Sequence, residues 1–201
     1  MSHWKSLAAY YTSSNVAELR MDASTHSLQT LSYEHHEVHS GSSFVAFVYD
    51  SDFDKSDEIN ICFDTPAGTK WIHLAVLADC SVPSELEILE GPTITNGSGT
   101  PFTVINRNRN SDNESILLDI EAAPTANTVS LNCTITADGT VIHGEAMGTG
   151  KKSLGSGGGR DLLEYVLLPS TRYAVRIAGT GITDNGVADI KLTWYEHTDK
   201  N

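Results

Sequence analysis

The sequence has few cysteines, few basic residues and no long apolar run, and each shortage excludes a class of protein. Its three cysteines, Cys62, Cys80 and Cys133, are an odd number without CxxC spacing, which argues against a disulfide framework or a zinc site. Only 13 Lys and Arg stand among 26 Asp and Glu, giving a formal net charge of −13, and they form no basic patch for nucleic acid. No stretch approaches the ~18 apolar residues of a membrane span, and the first residues lack a signal-peptide pattern. We therefore expect a protein made in a cytoplasm, with no nucleic-acid or membrane partner, that binds proteins, sugars or cations.

Apolar and polar residues alternate with a period of two in several short segments, which indicates β-strands with one buried face. Strands are predicted at 28–38, 59–63, 85–90, 116–121, 128–136, 139–143, 163–168, 172–178 and 188–195. Two further segments, Phe44–Tyr49 and Trp71–Ala78, are apolar on both faces, so we expect central strands covered from both sides or strands at a subunit contact. Trp71 and Trp194 are expected in the core, and the cysteines are expected to be buried thiols. No segment has the apolar stripe of about 12 residues that is typical of an amphipathic helix.

Roughly ten to eleven short strands in one chain predict an all-β fold, an antiparallel β-sandwich of jelly-roll-like topology. We divide the chain into an extended N-terminal arm, residues 1–24, and a β-sandwich domain, residues 25–201. Two long loops are expected at 91–115 and 144–160. Binding residues concentrate on loops that a rigid scaffold supports, so we expect partner contacts there.

The segment 33–39, with the sequence YEHHEVH, is the richest in metal-ligand side chains. It is not the HExxH motif of zinc proteases, because only Val38 separates Glu37 from His39 and because that motif needs a helix. On the predicted strand, His35, Glu37 and His39 share one face, and the two imidazoles lie ~13 Å apart, too far to hold one metal ion unaided. We expect a polar subunit contact or a sheet-face network, with a metal or catalytic role as the alternative.

Two other motifs are weaker. Residues 50–61 begin like a calcium loop, but Lys55 stands where the sixth position needs Gly and Ile61 where the twelfth needs Glu. A solvated acidic connection is expected, with weak calcium binding as the alternative. Residues 148–153 faintly resemble a phosphate loop, but Glu145 stands in place of the first Gly. No G-x-S-x-G motif is present and no nucleophile, base and acid are visibly grouped, so we expect no enzyme, no cofactor and no metal.

Three stretches of the chain are distinctive together: THSLQTLSYEHHEVHSGS at 25–42, the EGPT, GT and NRNRNS elements of 90–111, and WYEHTDKN at 194–201. From about residue 20 to the end, and in this order, the chain resembles a family of small virion proteins of tailed bacteriophages similar to head decoration, or capsid cement, proteins. The blocks YEHHEVHSGS and WYEHTDKN are the specific part of the resemblance. It implies a jelly-roll-like sandwich, made in the host cytoplasm, that assembles as a homotrimer. The trimer would bind the major capsid protein on the outer surface of the virion and stabilise the head, with no activity and no cofactor.

Partner contacts are predicted in the arm, in the histidine-rich segment and in the polar loop: Trp4, Tyr10, Tyr11, His35, Glu37, His39, Arg107 and Arg109. Aromatic and arginine side chains are chosen because they dominate the binding energy of protein interfaces. For the two arginines, a merely solvated loop is the alternative. The alternative function is a tail- or fibre-associated module that contacts a host glycan or another virion protein. A glycan site would favour aromatic side chains on exposed loops, and the two long loops contain only Phe102.

Overall fold

The computed structural model describes residues 10–12, 15–17, 33–68, 70–148, 164–181 and 185–198. One helix, α1 at Tyr33–Ser40, occurs among them, and no helix in this part of the chain has the length and apolar character to cross a membrane. The strands are β1 Tyr10–Thr12, β2 Asn15–Ala17, β3 Ser43–Phe53, β4 Glu58–Asp64, β5 Lys70–Cys80, β6 Ser84–Glu90, β7 Thr93–Ile94, β8 Thr100–Thr103, β9 Ile105–Asn106, β10 Thr128–Leu131, β11 Ile135–Ala137, β12 Thr140–Met147, β13 Glu164–Val166, β14 Arg172–Gly179 and β15 Gly186–Thr198. The predicted all-β class is therefore confirmed.

The chain divides into two compact units, Met1–His36 and Glu37–Asn201. In the first unit, β1 and β2 pair as a short antiparallel hairpin. The second unit contains a six-stranded sheet in the order β12-β6-β14-β4-β10-β8 and a five-stranded sheet in the order β13-β5-β15-β3-β9. All neighbours in both sheets are antiparallel. The predicted antiparallel sandwich is confirmed.

Eight strands, β3 to β6 and β12 to β15, form most of the two sheets and pair between distant parts of the chain. The chain alternates between the sheets from β3 to β6 and again from β12 to β15. The first four of these strands pair with the last four in reverse order: β3 with β15, β4 with β14, β5 with β13 and β6 with β12. Strand β15 also pairs with β5, and β14 with β6, so the last strands of the chain lie between the first ones.

The core forms because alternate side chains of the two sheets face each other. On β14, Tyr173, Val175 and Ile177 are fully buried, and on β15 Leu192 and Trp194 are fully buried, so the predicted inward series are confirmed. Each such side chain contributes about 1.5–3 kcal/mol through the apolar surface that it removes from water. The prediction that Ala174, Thr193 and Tyr195 face solvent was wrong, because all three are buried. The three cysteines are free and buried, as predicted.

The segment between β6 and β12 covers part of the outer face of the six-stranded sheet. Cys62 and Ala174 on that face pack with Ile94, Ile120 and Cys133 in a second, smaller apolar cluster. Strand β4 is consequently buried on both faces. Residues 91–115 were expected to be one long loop, and this was wrong, because β7, β8 and β9 lie within them.

Two predicted strands have a different structure. The segment 128–136 breaks into β10 and β11, because Asn132 adopts a φ of 55°, which a continuous strand does not allow. The segment 116–121 is not a strand, and Leu118 makes only isolated bridges within it. Leu118 exchanges two backbone hydrogen bonds with Asp64, whereas Asp119 and Ile120 bond to other segments, so no continuous ladder forms.

The outer face of the five-stranded sheet carries exposed aromatic side chains. Phe47 is 47% exposed, Tyr49 61% and Trp71 43%, although β3 and β5 are interior strands of the sheet as predicted. Coverage of both faces was therefore the wrong interpretation for these positions, and Trp71 is not in the core. The alternative, that these strands form a subunit contact, stays a prediction.

Candidate functional site: a helix end and an asparagine-rich loop

The histidine-rich segment forms a helix and not the predicted strand. Residues Tyr33–Ser40 are α1, so residues two apart no longer share a face. Glu37 is 6% exposed, whereas His35 and His39 are exposed. The prediction that His35, Glu37 and His39 form one polar face is therefore wrong.

Gly41 explains why the segment ends as a helix. Its φ of +76° is a left-handed conformation that glycine adopts without steric cost. The Gly41 N–H donates to the Val38 carbonyl at 3.2 Å, and the Ser42 N–H donates to the Glu37 carbonyl at 3.0 Å. These two bonds are the Schellman arrangement that satisfies the last carbonyls of a helix, and they direct the chain from α1 into β3.

The end of α1 is held against the loop 106–113 by asparagine side chains. Asn106, which is buried, donates from Nδ2 to the Gly41 carbonyl at 2.9 Å, and Asn108 donates to the His39 carbonyl at 3.0 Å. Asn113 donates to the Gly41 carbonyl at 3.4 Å. Helix carbonyls that have no partner within the helix are thus satisfied by the loop.

The same asparagines also shape the loop itself. Asn106 Oδ1 accepts the Asn108 N–H at 2.8 Å, and Asn108 Oδ1 accepts the Asn110 N–H at 3.1 Å. Each is a side-chain-to-backbone turn two residues long, which asparagine favours. The loop backbone is therefore held at several points by side-chain hydrogen bonds, although beyond Asn106 it has no regular secondary structure.

Arg107 and Arg109 alternate with these asparagines and are exposed. Arg107 contacts the Ser43 hydroxyl at 3.2 Å through a guanidinium nitrogen, and Arg109 contacts the Asn106 carbonyl at 3.5 Å. The structure brings Glu37, His39, Arg107 and Arg109 into one region, which we call the helix–loop surface: residues 37–41 and 106–113. Of the other predicted contacts, Trp4 lies outside the described residues, and Tyr10 and Tyr11 belong to β1.

Glu196 lies beneath the helix–loop surface and was missed by the sequence analysis. It is 2% exposed, and its Oε1 accepts the Ser115 hydroxyl at 2.6 Å and the Trp194 indole N–H at 3.0 Å. Both carboxylate oxygens lie 3.1 Å from the Ile116 N–H. Burial raises the pKa of Glu196, and these hydrogen bonds counteract only part of that increase. A signal was present, because residue 196 continues the inward-facing series 188, 190, 192 and 194.

An open pocket of about 150 Å³ adjoins this carboxylate. It is lined by Gly41, Ser42, Phe44, Lys70, Asn113, Glu114 and Glu196. Its lining mixes one aromatic ring with charges of both signs, so it has no evident single-class ligand. Because Gly41 and Asn113 line it, we treat the pocket as a depression in the helix–loop surface.

In the acidic turn between β3 and β4, side-chain carboxylates accept hydrogen bonds from backbone N–H groups. Asp54 Oδ1 accepts the Asn185 N–H at 2.8 Å, and Asp57 Oδ2 accepts the Asp54 N–H at 2.9 Å. These bonds are those of a capped turn. Within the described ranges, no group of three or more His, Cys, Asp or Glu side chains has the arrangement of a metal site.

In comparisons with known proteins, the chain matches no family model, no curated protein and no solved structure. Its function therefore has to be argued from the residues described above.

Proposed function

We propose that this protein is a structural virion protein that binds the outer surface of a bacteriophage capsid as a homotrimer and stabilises the head. The observation that carries the proposal is the helix–loop surface, where Arg107 and Arg109 are presented on a loop fixed by Asn106 and Asn108. A preorganised loop loses little conformational entropy on binding, and arginine is among the residues that dominate interface energies. The resemblance of 25–42 and 194–201 to decoration proteins supplies the partner, the major capsid protein.

We further propose that the sandwich is a jelly roll. A jelly roll can be described as one long two-stranded hairpin rolled up into two sheets. The reversed pairing of β3, β4, β5 and β6 with β15, β14, β13 and β12 supports this description. The segment that contains β7 to β11 is then an insertion at the tip of the hairpin, between β6 and β12.

Binding as a trimer would give a high overall affinity for the capsid even if the capsid contact of each subunit is small. Linking three copies raises the effective concentration of the second and third contact after the first has formed. We expect light scattering to give a mass three times the 21.7 kDa of the chain. A monomer that ignores capsids would contradict the proposal.

The capsid contact can be tested with two double variants that each remove two positive charges. Arg107→Ala with Arg109→Ala is expected to weaken co-sedimentation with capsids lacking this protein by at least about tenfold, since interface arginines often contribute about 1–2 kcal/mol or more. The matched control is Lys55→Ala with Lys191→Ala, two exposed lysines of the β3–β4 turn and of β15. The control is expected to bind like the wild type and to raise the melting temperature of the capsids equally. An equal loss in both double variants would indicate unspecific charge attraction and would refute the assignment.

A second candidate function, glycan binding at a tail or fibre, is favoured by one observation only. Trp71, Tyr49 and Phe47 are exposed on the outer face of the five-stranded sheet, and exposed aromatic rings are amphipathic contact surfaces. A chain that does not bind capsids but binds glycans, and loses this binding in Trp71→Ala, would favour this candidate.

A further inference from the structure

Two histidines meet on the outer face of the five-stranded sheet. His73 on β5 lies directly opposite Tyr195 on β15, and His197 lies opposite Trp71. The histidines are thus diagonal neighbours on one face, a spacing within reach of long side chains. Their Nε2 atoms are 2.8 Å apart.

The proton on His73 can be assigned from its neighbours. Its Nδ1 lies 2.8 Å from Oε1 of Glu164 on β13, and the Tyr195 hydroxyl donates to the same oxygen at 2.7 Å. A carboxylate oxygen only accepts hydrogen bonds, so Nδ1 of His73 carries the hydrogen. In a neutral ring, Nε2 of His73 is then a lone-pair acceptor.

The same reasoning applies to His197. Its Nδ1 lies 3.1 Å from the backbone carbonyl oxygen of Thr198, which also only accepts. With the hydrogen on Nδ1, Nε2 of the neutral ring presents a lone pair, whereas with the hydrogen on Nε2 the two rings share an N–H···N hydrogen bond that a metal ion would replace. In the first tautomer, two lone pairs 2.8 Å apart repel each other unless a proton or a metal ion lies between them.

The two rings are oriented toward a common point. Their centroids are 4.6 Å apart and their planes are tilted by 37°, so the much shorter separation of the Nε2 atoms means that the nitrogens lie on facing edges. Metal–imidazole bonds are about 2.0–2.1 Å long. If an ion lay at that distance from both nitrogens, the N–metal–N angle would be roughly 90°, which suits square or octahedral coordination.

We propose that His73 and His197 bind a divalent transition-metal ion through their Nε2 atoms. Imidazole nitrogen is a ligand that Zn²⁺, Ni²⁺ and Cu²⁺ prefer and that Mg²⁺ does not. Glu164 is the positioning residue, since a carboxylate that accepts the other ring N–H of a metal-bound histidine fixes its orientation and raises its basicity. With two protein ligands, the remaining positions are filled by water. His73 is stacked on Tyr195, with centroids 4.6 Å apart and an interplanar angle of 14°, which limits its rotation. This inference does not depend on the proposed function.

The site can be tested on the full chain by nitrogen NMR of the imidazole rings, with Zn²⁺ as a diamagnetic probe. We expect the Nε2 signals of His73 and His197 to shift together and to saturate at the same zinc concentration, and Mg²⁺ to leave both unchanged. In His197→Asn, the His73 signal is expected to need at least about tenfold more zinc. Glu164→Gln is expected to weaken binding by about 10–100-fold.

His39→Asn is the matched control, because it removes an exposed histidine on α1 and should leave the joint titration unchanged. The wild-type titration decides the matter even if a variant fails to fold. If the two signals do not move with zinc, or move at different concentrations, the nitrogens share only a proton and the metal site is refuted. The same conclusion follows if His73 responds equally in His197→Asn.

Discussion

Glu196 is a buried carboxylate held mainly by hydrogen-bond donors, with Lys70 as a weaker electrostatic neighbour. Ser115, Ile116 and Trp194 each donate a hydrogen bond to it, and hydrogen bonds to charged groups stabilise by about 1.5–3 kcal/mol each. Removal from water still disfavours the charge, so the pKa of Glu196 is raised. The residue therefore links the end of β15 to the segment 115–116 at an electrostatic cost that depends on pH.

The sign of that dependence follows from proton binding. Because the folded-state pKa of Glu196 exceeds its unfolded value, the folded state binds more protons between the two. The free energy of unfolding should therefore fall as the pH rises from the ordinary glutamate pKa through the raised one, by about 1.4 kcal/mol for each unit of difference. Glu196→Gln, which cannot ionise, should lack this contribution.

Urea unfolding of both proteins across this pH range measures the difference. Asp189, whose pKa burial also raises, is present in both proteins, so its contribution cancels in the comparison. Parallel pH profiles of the wild type and Glu196→Gln would contradict the assigned cause.

Some of the site was predictable from single residues, and some was not. Arg107 and Arg109 were selected as interface types, and the structure places them in one region with His39. The supporting roles of Asn106 and Asn113 could not be predicted, because their bonds reach carbonyls more than 60 residues away. Spacing along the chain carries no information about such distant partners.

Helix α1 illustrates how an element can be misjudged when local pattern is used alone. The segment 33–40 has no apolar stripe, and period two was imposed on it from the surrounding strands. The deciding residue is Gly41, whose left-handed φ and two capping bonds stabilise the helix end. A glycine directly after the segment, with His39 in its last turn, was the available signal for a helix end. By contrast, β14 and β15 were predicted correctly, because their inward side chains form the core and tertiary packing reinforces the pattern.

Gly41→Ala should destabilise the connection between α1 and β3. A left-handed conformation costs a residue with a Cβ about 1–2 kcal/mol, and the added Cβ would overlap the Ser111 side chain. We expect a loss of at least about 2 kcal/mol in the free energy of unfolding, measured by urea denaturation. Gly68→Ala is the matched control, because it has no neighbour within 4 Å of the added carbon and should be nearly neutral. Equal stability of the two variants would show that the cap contributes nothing.

At the scale of the molecule, the fold depends on pairing between distant parts of the chain. Strand β15 lies between β3 and β5, and Tyr195 pairs with Ser43 across more than 150 residues. Sandwich class was predictable because it follows from repeated alternation. Strand order was not predictable, since it depends on which distant strands meet, and alternation within one segment does not identify its partner.

A chain that ends at Asn185 should therefore fail to fold. Without β15, the strands β3 and β5 lose their common neighbour, and the core loses Ile190, Leu192 and Trp194. We expect thermal unfolding followed by circular dichroism to show no cooperative transition, whereas a chain that ends at Thr198 keeps one. Cooperative melting of the shorter chain would mean that the sandwich does not require its last strand.

Asparagine and arginine alternate in the loop 106–110, and the two residue types have different roles. The asparagines determine the shape of the loop through bonds to the backbone, whereas Arg107 and Arg109 are exposed and contact the Ser43 hydroxyl and the Asn106 carbonyl. Under the proposed function, substitutions at 107 and 109 would change the surface presented to the capsid while the asparagine bonds that shape the loop remain. A protein that acquires a new partner would then need to change these two positions and not the loop that carries them.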